Sequence, residues 1–416
     1  MRILMISWEY PPHVVGGLGK HVAELAPALS QMDLDSEPVF IDVLTLEHST
    51  EPRQRQDGAG TNLVAHEQQN EHLAIYRVHR AIPNCDGPND VYQNIIADNY
   101  VLIGAALRLA QYQQYDIIHI HDWLTGEAGI ILKHAWKIPL IATIHATEQG
   151  RHQGYLPTLL SCQIDHMEWR ICYEAWHIIV CSEFMKTELS RQNGVPQDKI
   201  TMIPNGINFN ELHQLPDYQL QALRQRYVGQ NEHLLFYVGR ITHEKGPQIL
   251  IRAMPYILAQ MSDVYLLLAG KNGESLLPLA QDAGVAHAIK FLGYISDQER
   301  DVFYQATDTA IFPSLYEPFG IVALEAMALG CNLIASDVGG LGEVVQHMQN
   351  GLTIYPNDPA SIAWAVRQIL EDPLSARQRS IYAQQQVRSL YKWSRIADRT
   401  AQLYVDVSDV RRSTVW

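Results

Sequence analysis

The chain has 416 residues, 47% of them hydrophobic and 18% charged, and its net charge is −14 at pH 7. This length exceeds one ordinary hydrophobic core, so we expect two domains of about 200 residues each. The negative charge argues against nucleic acid as a main partner, because phosphate backbones attract basic surfaces.

The cysteines and the N-terminus predict a cytoplasmic protein. The five cysteines are scattered and form no CxxC pair, a pattern that favours reduced thiols. The apolar run at residues 2–7 is too short for a signal peptide and predicts a first strand. No apolar stretch is long enough to cross a bilayer, so we expect at most peripheral membrane contact.

Strand-like apolar runs alternate with helical patterns along the chain, which predicts an α/β architecture with parallel sheets. Strands are predicted at residues 2–7, 39–45, 73–78, 117–121, 140–145, 178–182 and 200–204, and again at 234–239, 264–270, 289–293, 309–313, 332–336 and 352–355. Residues 47–71 are polar and are expected to form an exposed excursion, and turn signals place a linker at residues 205–231. From residue 359 onward the pattern is helical.

Two carboxylates, Glu317 and Glu325, lie on either side of a predicted helix start near Pro318. A helix start suits an anion, because its first backbone N–H groups have no partner within the helix. Here these groups would belong to Phe319, Gly320 and Ile321. The carboxylates could accept hydrogen bonds from hydroxyl groups while the helix end and nearby cations hold phosphates. A nucleotide diphosphate sugar carries this mixture of groups.

The spacing Glu317-x7-Glu325, with Pro-Phe-Gly after the first acid, resembles the donor-site motif of retaining glycosyltransferases of the GT-B fold. The closest match is family 4, and glycogen and starch synthases are similar. The resemblance covers nearly the whole chain. It implies two facing Rossmann-like domains and a C-terminal helix that crosses back to the first. We therefore expect an acceptor-side domain at residues 1–208, joined by a crossing helix at 392–416, and a nucleotide-sugar donor domain at residues 209–391.

Two cations, Arg240 and Lys245, follow the strand predicted at residues 234–239. Ligands of open α/β sheets bind at the carboxyl ends of strands, so this pair suits a diphosphate leaving group. The alternative is a solvated surface pair. The resemblance implies that both cations neutralise the diphosphate, that Glu317 holds hydroxyls of the donor sugar, and that Glu325 holds the ribose.

In the first domain, Gly16 and Gly17 precede a predicted helix and would let its N-terminus approach a diphosphate or sugar. The alternative is a turn that requires a positive φ. The run Trp8-Glu9-Tyr10-Pro11-Pro12 resembles glycogen synthases, but Val14 stands where synthases using ADP-glucose typically have Lys. The resemblance also implies that His145, at a strand end, hydrogen-bonds a hydroxyl of the donor sugar.

Three further positions complete the predicted site. Asp122 resembles a family residue near the acceptor, and Tyr294 resembles the position whose backbone binds the nucleotide base. His119 and His121 are alternate residues of one strand, a spacing that suits a metal ion. The sequence shows no third ligand, so we predict structural roles for these histidines and no metal site.

The expected activity is that of a retaining hexosyltransferase without a metal ion or cofactor. It would move a hexose from a nucleotide diphosphate sugar, expected to be UDP-linked, to a hydroxyl of a saccharide or lipid-linked acceptor in polysaccharide biosynthesis. A sugar phosphorylase of the same fold, a nucleotide-sugar epimerase and a non-catalytic nucleotide-sugar-binding subunit stay open as alternatives.

Overall fold

The computed structural model of the chain describes residues 1–14, 16–34, 37–47, 63–80 and 91–416. These residues divide into two compact units, Met1–Gly206 with Trp393–Trp416 and Ile207–Lys392. The first segment of the first unit ends at Gly206, whereas the sequence analysis placed this boundary at residue 208.

The first unit is built around a parallel sheet. Its strands are β1 (Arg2–Ile6), β2 (Asp33–Leu34), β3 (Glu37–Pro38), β4 (Phe40–Glu47), β5 (Leu63–Asn70), β6 (Leu73–His79), β7 (Ile117–His121), β8 (Leu140–Ile144), β9 (His177–Val180) and β10 (Ile200–Met202). Eight of them form one sheet in the order β10-β9-β8-β7-β1-β4-β6-β5. All of its neighbouring pairs are parallel except β5 and β6.

Part of the segment predicted as an exposed excursion, residues 47–71, forms strand β5 instead. It pairs antiparallel with β6 at the edge of the sheet. Its side chains from residue 66 to 70 are polar and exposed, so no apolar run marked it as a strand. Residues 48–62 of the predicted excursion lie outside the described part of the chain.

The helices of the first unit cover the sheet. They are α1 (Gly17–Leu29), α2 (Val91–Leu109), α3 (Gly126–Trp136), α4 (Glu148–Arg151), α5 (Leu159–Glu174) and α6 (Glu183–Gln192). In α1 the apolar residues Leu18, Val22 and Leu25 recur at helical spacing and pack into the core.

The second unit repeats the architecture with a six-stranded parallel sheet. Its strands are β11 (His233–Val238), β12 (Val264–Ala269), β13 (Ile289–Gly293), β14 (Thr309–Phe312), β15 (Leu333–Ser336) and β16 (Leu352–Ile354), in the order β13-β12-β11-β14-β15-β16. The chain builds outward from β11 to β13, then returns to place β14 on the other side of β11. This reversal is the point where open α/β sheets bind ligands.

The helices of the second unit are α7 (Asp217–Arg224), α8 (Pro247–Leu258), α9 (Leu277–Asp282), α10 (Asp297–Ala306), α11 (Ile321–Ala328), α12 (Gly339–Val344), α13 (Pro359–Glu371) and α14 (Pro373–Leu390). Helix α7 lies inside the linker predicted at residues 205–231, which is therefore partly helical.

The C-terminal helix, α15 (Trp393–Ser413), belongs to the first unit. It packs against α1 and contributes Ile396 and Tyr404 to the core of that unit. The Tyr404 hydroxyl lies 2.7 Å from His119 Nδ1 on β7. Neither this helix nor any other in the described ranges is long and apolar enough to cross a membrane.

The bond between Tyr404 and His119 gives a stability prediction. His119 is buried and its Nε2 lies 2.7 Å from Thr143 Oγ1, so Tyr404→Phe leaves Nδ1 without a partner. Such a loss costs about 1–3 kcal/mol. Chemical denaturation should show this decrease, whereas the control Tyr112→Phe, at an 88% exposed residue, should change stability by less than about 0.5 kcal/mol. Equal stability of the two variants would contradict the prediction.

Candidate functional site

Three loops of the second unit meet at the carboxyl ends of β11, β14 and β15, which are neighbours in the sheet. The backbone N–H of Leu315, after β14, donates to the carbonyl of Glu244, after β11, at 2.7 Å. The N–H of Gly340, after β15, donates to the carbonyl of Glu317 at 3.0 Å. The sheet order therefore brings together segments that are far apart in sequence.

Two glycines allow these loops to touch. A Cβ at Gly246 would lie 1.9 Å from the carbonyl oxygen of Pro313, and Gly246 also has a positive φ of 71°. A Cβ at Gly340 would lie 2.1 Å from the carbonyl oxygen of Pro318. Any other residue would push the loops apart, so the close approach requires glycine at both positions.

The central contact of this edge is an ion pair between Lys245 and Glu317. Lys245 Nζ lies 2.7 Å from Glu317 Oε2, and the two side chains are 20% and 11% exposed. The sequence predicted separate roles for the two residues, whereas the structure joins them. Because each limits the movement of the other, the ammonium and one carboxylate oxygen are held in fixed positions at the sheet edge.

Arg240 is the more accessible cation of this edge. Its side chain is 59% exposed and reaches Glu244 only at 3.5 Å, while the Tyr237 hydroxyl donates to its carbonyl at 3.0 Å. Burial would raise the pKa of Glu244, but hydrogen bonds to its carboxylate and the charges of Arg240 and Lys245 hold it below its usual value. The backbone of Arg240 is thus fixed while its guanidinium group faces solvent.

The helix after Glu317 begins later than predicted. Helix α11 starts at Ile321, and Gly320 precedes it with φ 102°. The positive φ of Gly320 is incompatible with a right-handed helix, so residues 318–320 cannot form the first turn of α11. A Cβ at Gly320 would also lie 2.7 Å from Leu341 Cδ1, which favours glycine at this position. The prediction of a helix start near Pro318 is therefore wrong, and Phe319 lies outside the first helical turn.

Arg300 is a functional candidate that the sequence analysis missed. It lies on α10, and its Nη1 is 3.2 Å from Glu325 Oε1 on α11. Burial would lower the pKa of Arg300, but the charges of Glu325 and of nearby acids raise it above its usual value. No motif surrounds Arg300, and its contact with Glu325 depends on how the two helices pack. Arg300 thus fixes the carboxylate predicted to hold the ribose.

Tyr294 directly follows β13, and its side chain is 80% exposed. Strand β13 is separated by β12 from β11, the strand that precedes Arg240 and Lys245. Tyr294 therefore lies two strands away from these cations, on the side of β11 opposite to β14. Its predicted contact through the backbone stays a prediction.

In the first unit, Asp122 and His145 follow the neighbouring strands β7 and β8. Asp122 Oδ1 accepts a hydrogen bond from the backbone N–H of His145 at 2.7 Å. Asp122 has φ 55° and ψ −177°, a conformation that is rare outside glycine. Burial raises its pKa to about 6, although hydrogen bonds from the backbone of His145 and Ala146 and the charge of Arg151 oppose the shift. Asp122 therefore fixes the chain that presents His145.

The side chain of His145 belongs to a cluster of histidines. His145 Nε2 lies 3.3 Å from His121 Nδ1, and the ring of His21, on α1, lies 4.7 Å from the His145 ring between centroids. Burial lowers the pKa of His145 to about 4, so the imidazole is neutral at pH 7. The sequence showed no third residue near His119 and His121, but the fold places His21 and His145 beside His121.

The loop before α1 presents Gly16 and Gly17 as exposed residues. Gly16 has φ −157°, which any residue can adopt, so the alternative of a turn that requires positive φ is wrong there. A Cβ at Gly16 would meet no atom within 4 Å. The backbone N–H of Gly16 donates to Glu9 Oε2 at 3.1 Å. The fold itself therefore does not explain glycine at this position.

Comparisons with known proteins identify the family of the chain. Residues 221–386 match the family described as glycosyl transferases group 1, and residues 15–211 match glycosyltransferase family 4. A glycogen synthase of Mycobacterium tuberculosis is 35% identical over 412 residues, covering 97% of this chain and 94% of that protein. The chain belongs to glycosyltransferase family 4.

Solved structures give the fold of this family 4 glycosyltransferase. Sucrose-phosphate synthase from Thermosynechococcus elongatus matches 98% of the chain and 99% of its own length, with a TM-score of 0.79 and 26% identity. The catalytic domain of starch synthase IV from Arabidopsis thaliana, bound to ADP and acarbose, matches 98% of the chain and 99% of its own, with a TM-score of 0.73 and 18% identity. The predicted GT-B fold is confirmed.

The buried carboxyl of Asp122 gives this glycosyltransferase a pH-dependent stability. Its pKa rises from 3.8 to about 6 on folding, so the folded state binds the proton more tightly, and the free energy of unfolding falls as pH rises from 4 to 6. Asp122→Asn keeps an acceptor oxygen, tolerates positive φ and does not titrate.

Denaturant titrations at pH 4, 5, 6 and 7 should therefore show the wild type losing about 2 kcal/mol relative to Asp122→Asn between pH 4 and 6. Groups that titrate equally in both proteins cancel in this difference. Parallel stability profiles for the two proteins would contradict the burial of an ionisable carboxyl at this position.

Proposed function

We propose that this chain is a retaining hexosyltransferase. It moves a hexose from a UDP-sugar to a hydroxyl of a saccharide or lipid-linked acceptor in polysaccharide synthesis. Its membership of family 4 and its similarity to a glycogen synthase support a sugar donor and a saccharide acceptor. Val14, where synthases that use ADP-glucose typically have Lys, favours UDP over ADP.

The single observation that carries the proposal is the cluster of Arg240, Lys245 and Glu317 at the strand reversal of the second unit. A diphosphate bound there would meet the solvent-facing guanidinium of Arg240 and the ammonium of Lys245. The first backbone N–H groups of α11 would add a positive helix end. Fixed positive groups of this kind stabilise a departing anion by several kcal/mol, on the order of the largest catalytic terms known in enzymes.

The carboxylates would position the uncharged parts of the donor. Glu317 would accept hydrogen bonds from hydroxyls of the donor sugar, and Lys245 holds it in place from one side. Glu325 would accept from the ribose hydroxyls, and Arg300 orients it in the same way. A buried carboxylate held by a cation is preorganised for such contacts, because it does not have to find its orientation when the ligand binds.

The remaining residues would complete the donor and acceptor contacts. Neutral His145 would hydrogen-bond a donor hydroxyl while its carbonyl faces the reacting carbon, and Asp122 positions it or contacts the acceptor. Gly16 and Gly17 would approach the sugar or diphosphate, and the backbone of Tyr294 would bind the base. Phe319 and Gly320, in the loop before α11, and Ile321, the first residue of that helix, remain proposed donor contacts.

Retention of configuration would follow from the side of attack. The acceptor hydroxyl attacks the anomeric carbon from the face that the diphosphate leaves, and the leaving phosphate oxygen takes the hydroxyl proton. The new glycosidic bond then has the configuration of the broken one. This step rests on family resemblance. It requires no metal ion, because Arg240 and Lys245 neutralise the diphosphate.

Removal of either cation tests the proposal. Arg240→Ala and Lys245→Ala should each reduce kcat/KM by at least about 100-fold, the usual effect of losing one group that stabilises a developing anion. UDP release from UDP-glucose, with a panel of glucan acceptors, measures the effect.

The control is Lys290→Ala, which removes an exposed cation on β13. Arg240→Ala should unfold at the wild-type temperature, because the residue makes only an exposed contact. Lys245→Ala should be less stable, because it leaves the Glu317 carboxylate without its ammonium partner. Wild-type turnover in both active-site variants would overturn the assignment of the two cations.

Metal removal tests the proposed chemistry separately. Dialysis against EDTA should leave the transfer rate at or above its starting value, because the protein's own cations neutralise the leaving group. The measurement is initial rate with and without EDTA at fixed UDP-glucose. A complete loss that added Mn²⁺ restores would show that the diphosphate requires a metal ion instead.

A further inference from the structure

Three histidines of the first unit converge on one point. His21 comes from α1, His121 ends β7 and His145 follows β8. One ring nitrogen from each lies within 4.8 Å of the other two. The His121 and His145 nitrogens already lie 3.3 Å apart. In a tetrahedral zinc site, Zn–N distances of about 2.0–2.1 Å put ligand nitrogens about 3.4 Å apart. His121 Nδ1 and His145 Nε2 have this separation, and an ion bound by both would replace the hydrogen bond that they share.

One of these imidazoles has a nitrogen atom that the fold leaves unused. His21 Nδ1 lies 2.7 Å from Asn205 Oδ1, which can only accept, so the proton is on Nδ1 and Nε2 carries a lone pair. His21 Nε2 is buried without a hydrogen-bond partner among the described residues. A buried polar atom without a partner is unusual and calls for an explanation.

We propose that His21, His121 and His145 bind one divalent transition-metal ion of the zinc type, with solvent in the fourth position. Neutral imidazoles select zinc, copper and nickel over magnesium and calcium, which prefer oxygen ligands. His145 is half-buried, so an ion can enter from its side. Asn205 accepts the other ring N–H of His21, the outer contact that metal-binding histidines usually make.

His119 does not belong to this set, although its ring lies 4.5 Å from that of His121. Its two nitrogens are occupied by the Tyr404 hydroxyl and the Thr143 hydroxyl, each at 2.7 Å. His119 is therefore a matched control, a buried histidine of the same cluster that offers no free ring nitrogen.

Metal binding has a consequence that rests on the proposed function. An ion bound to His145 would take the imidazole away from the sugar hydroxyl and would occupy the space beside it. Zinc and the sugar donor then compete, and zinc inhibits transfer reversibly. This is distinct from a metal that takes part in the reaction.

Calorimetric titration of the metal-free full-length protein with Zn²⁺, without nucleotide sugar, tests the site directly. We expect one tight equivalent, followed by weaker binding to exposed histidines and thiols. Titration with Co²⁺ should give the visible absorption of a tetrahedral ion at the same stoichiometry. His21→Gln and His121→Gln should lose the tight equivalent, while His119→Gln should keep it.

Asn205→Ala serves as a second probe, since it keeps all three ligands and removes only the outer contact. It should weaken zinc binding about 10–100-fold. Thermal unfolding of each variant without metal shows whether it folds, and the interpretation uses only variants that do. Absence of a tight equivalent in the wild type, or its persistence in folded His21→Gln, would overturn the proposed site.

Activity measurements separate this proposal from the proposed function. Inhibition by one equivalent of Zn²⁺ that EDTA reverses supports both the site and the competition. Tight zinc binding without inhibition keeps the metal site and overturns the competition at His145. A metal-free protein that binds zinc but transfers no hexose from any donor tested contradicts the proposed function and leaves the metal site supported.

Discussion

The ion pair between Lys245 and Glu317 is the contact on which the donor-side chemistry depends. It joins the loops that follow β11 and β14, and their close approach requires glycine at position 246. Glycine at position 340 lets the loop after β15 pack against the same β14 loop. The order of the parallel strands places these loops side by side, the glycines allow the loops to touch, and the ion pair fixes the positions of the two charged groups. Arg240 can then remain exposed, because the loop that carries it is held by its neighbours.

In the histidine cluster of the first unit, burial disfavours the charged form of the imidazole rings. Burial lowers the pKa of each described histidine in the cluster, so these rings can accept hydrogen bonds at neutral pH. The same neutrality suits His145 for contact with an uncharged sugar. The backbone of Asp122 is strained, and its carboxylate accepts a hydrogen bond from the backbone N–H of His145. The position of His145 therefore depends on Asp122 as well as on strand β8.

Much of the fold could be predicted because buried parallel strands have continuous apolar sequences, and β11 and β14 are typical of them. Polar edge strand β5 lacked that signal. Glycine at position 320 could be noticed in the sequence, but its positive φ could not, so the start of α11 was placed too early. Contacts between segments that are distant in sequence could not be predicted from the sequence. The Arg300–Glu325 pair and the addition of His21 to the cluster depend on helix packing, which local sequence does not encode.

The most direct test of the central claim is a crystal structure of the protein with UDP-glucose or a non-hydrolysable relative. The account predicts diphosphate oxygens within hydrogen-bond distance of the Arg240 guanidinium and the Lys245 ammonium, with the first N–H groups of α11 directed at the same phosphates. A well-ordered complex with the diphosphate bound away from both cations would contradict it.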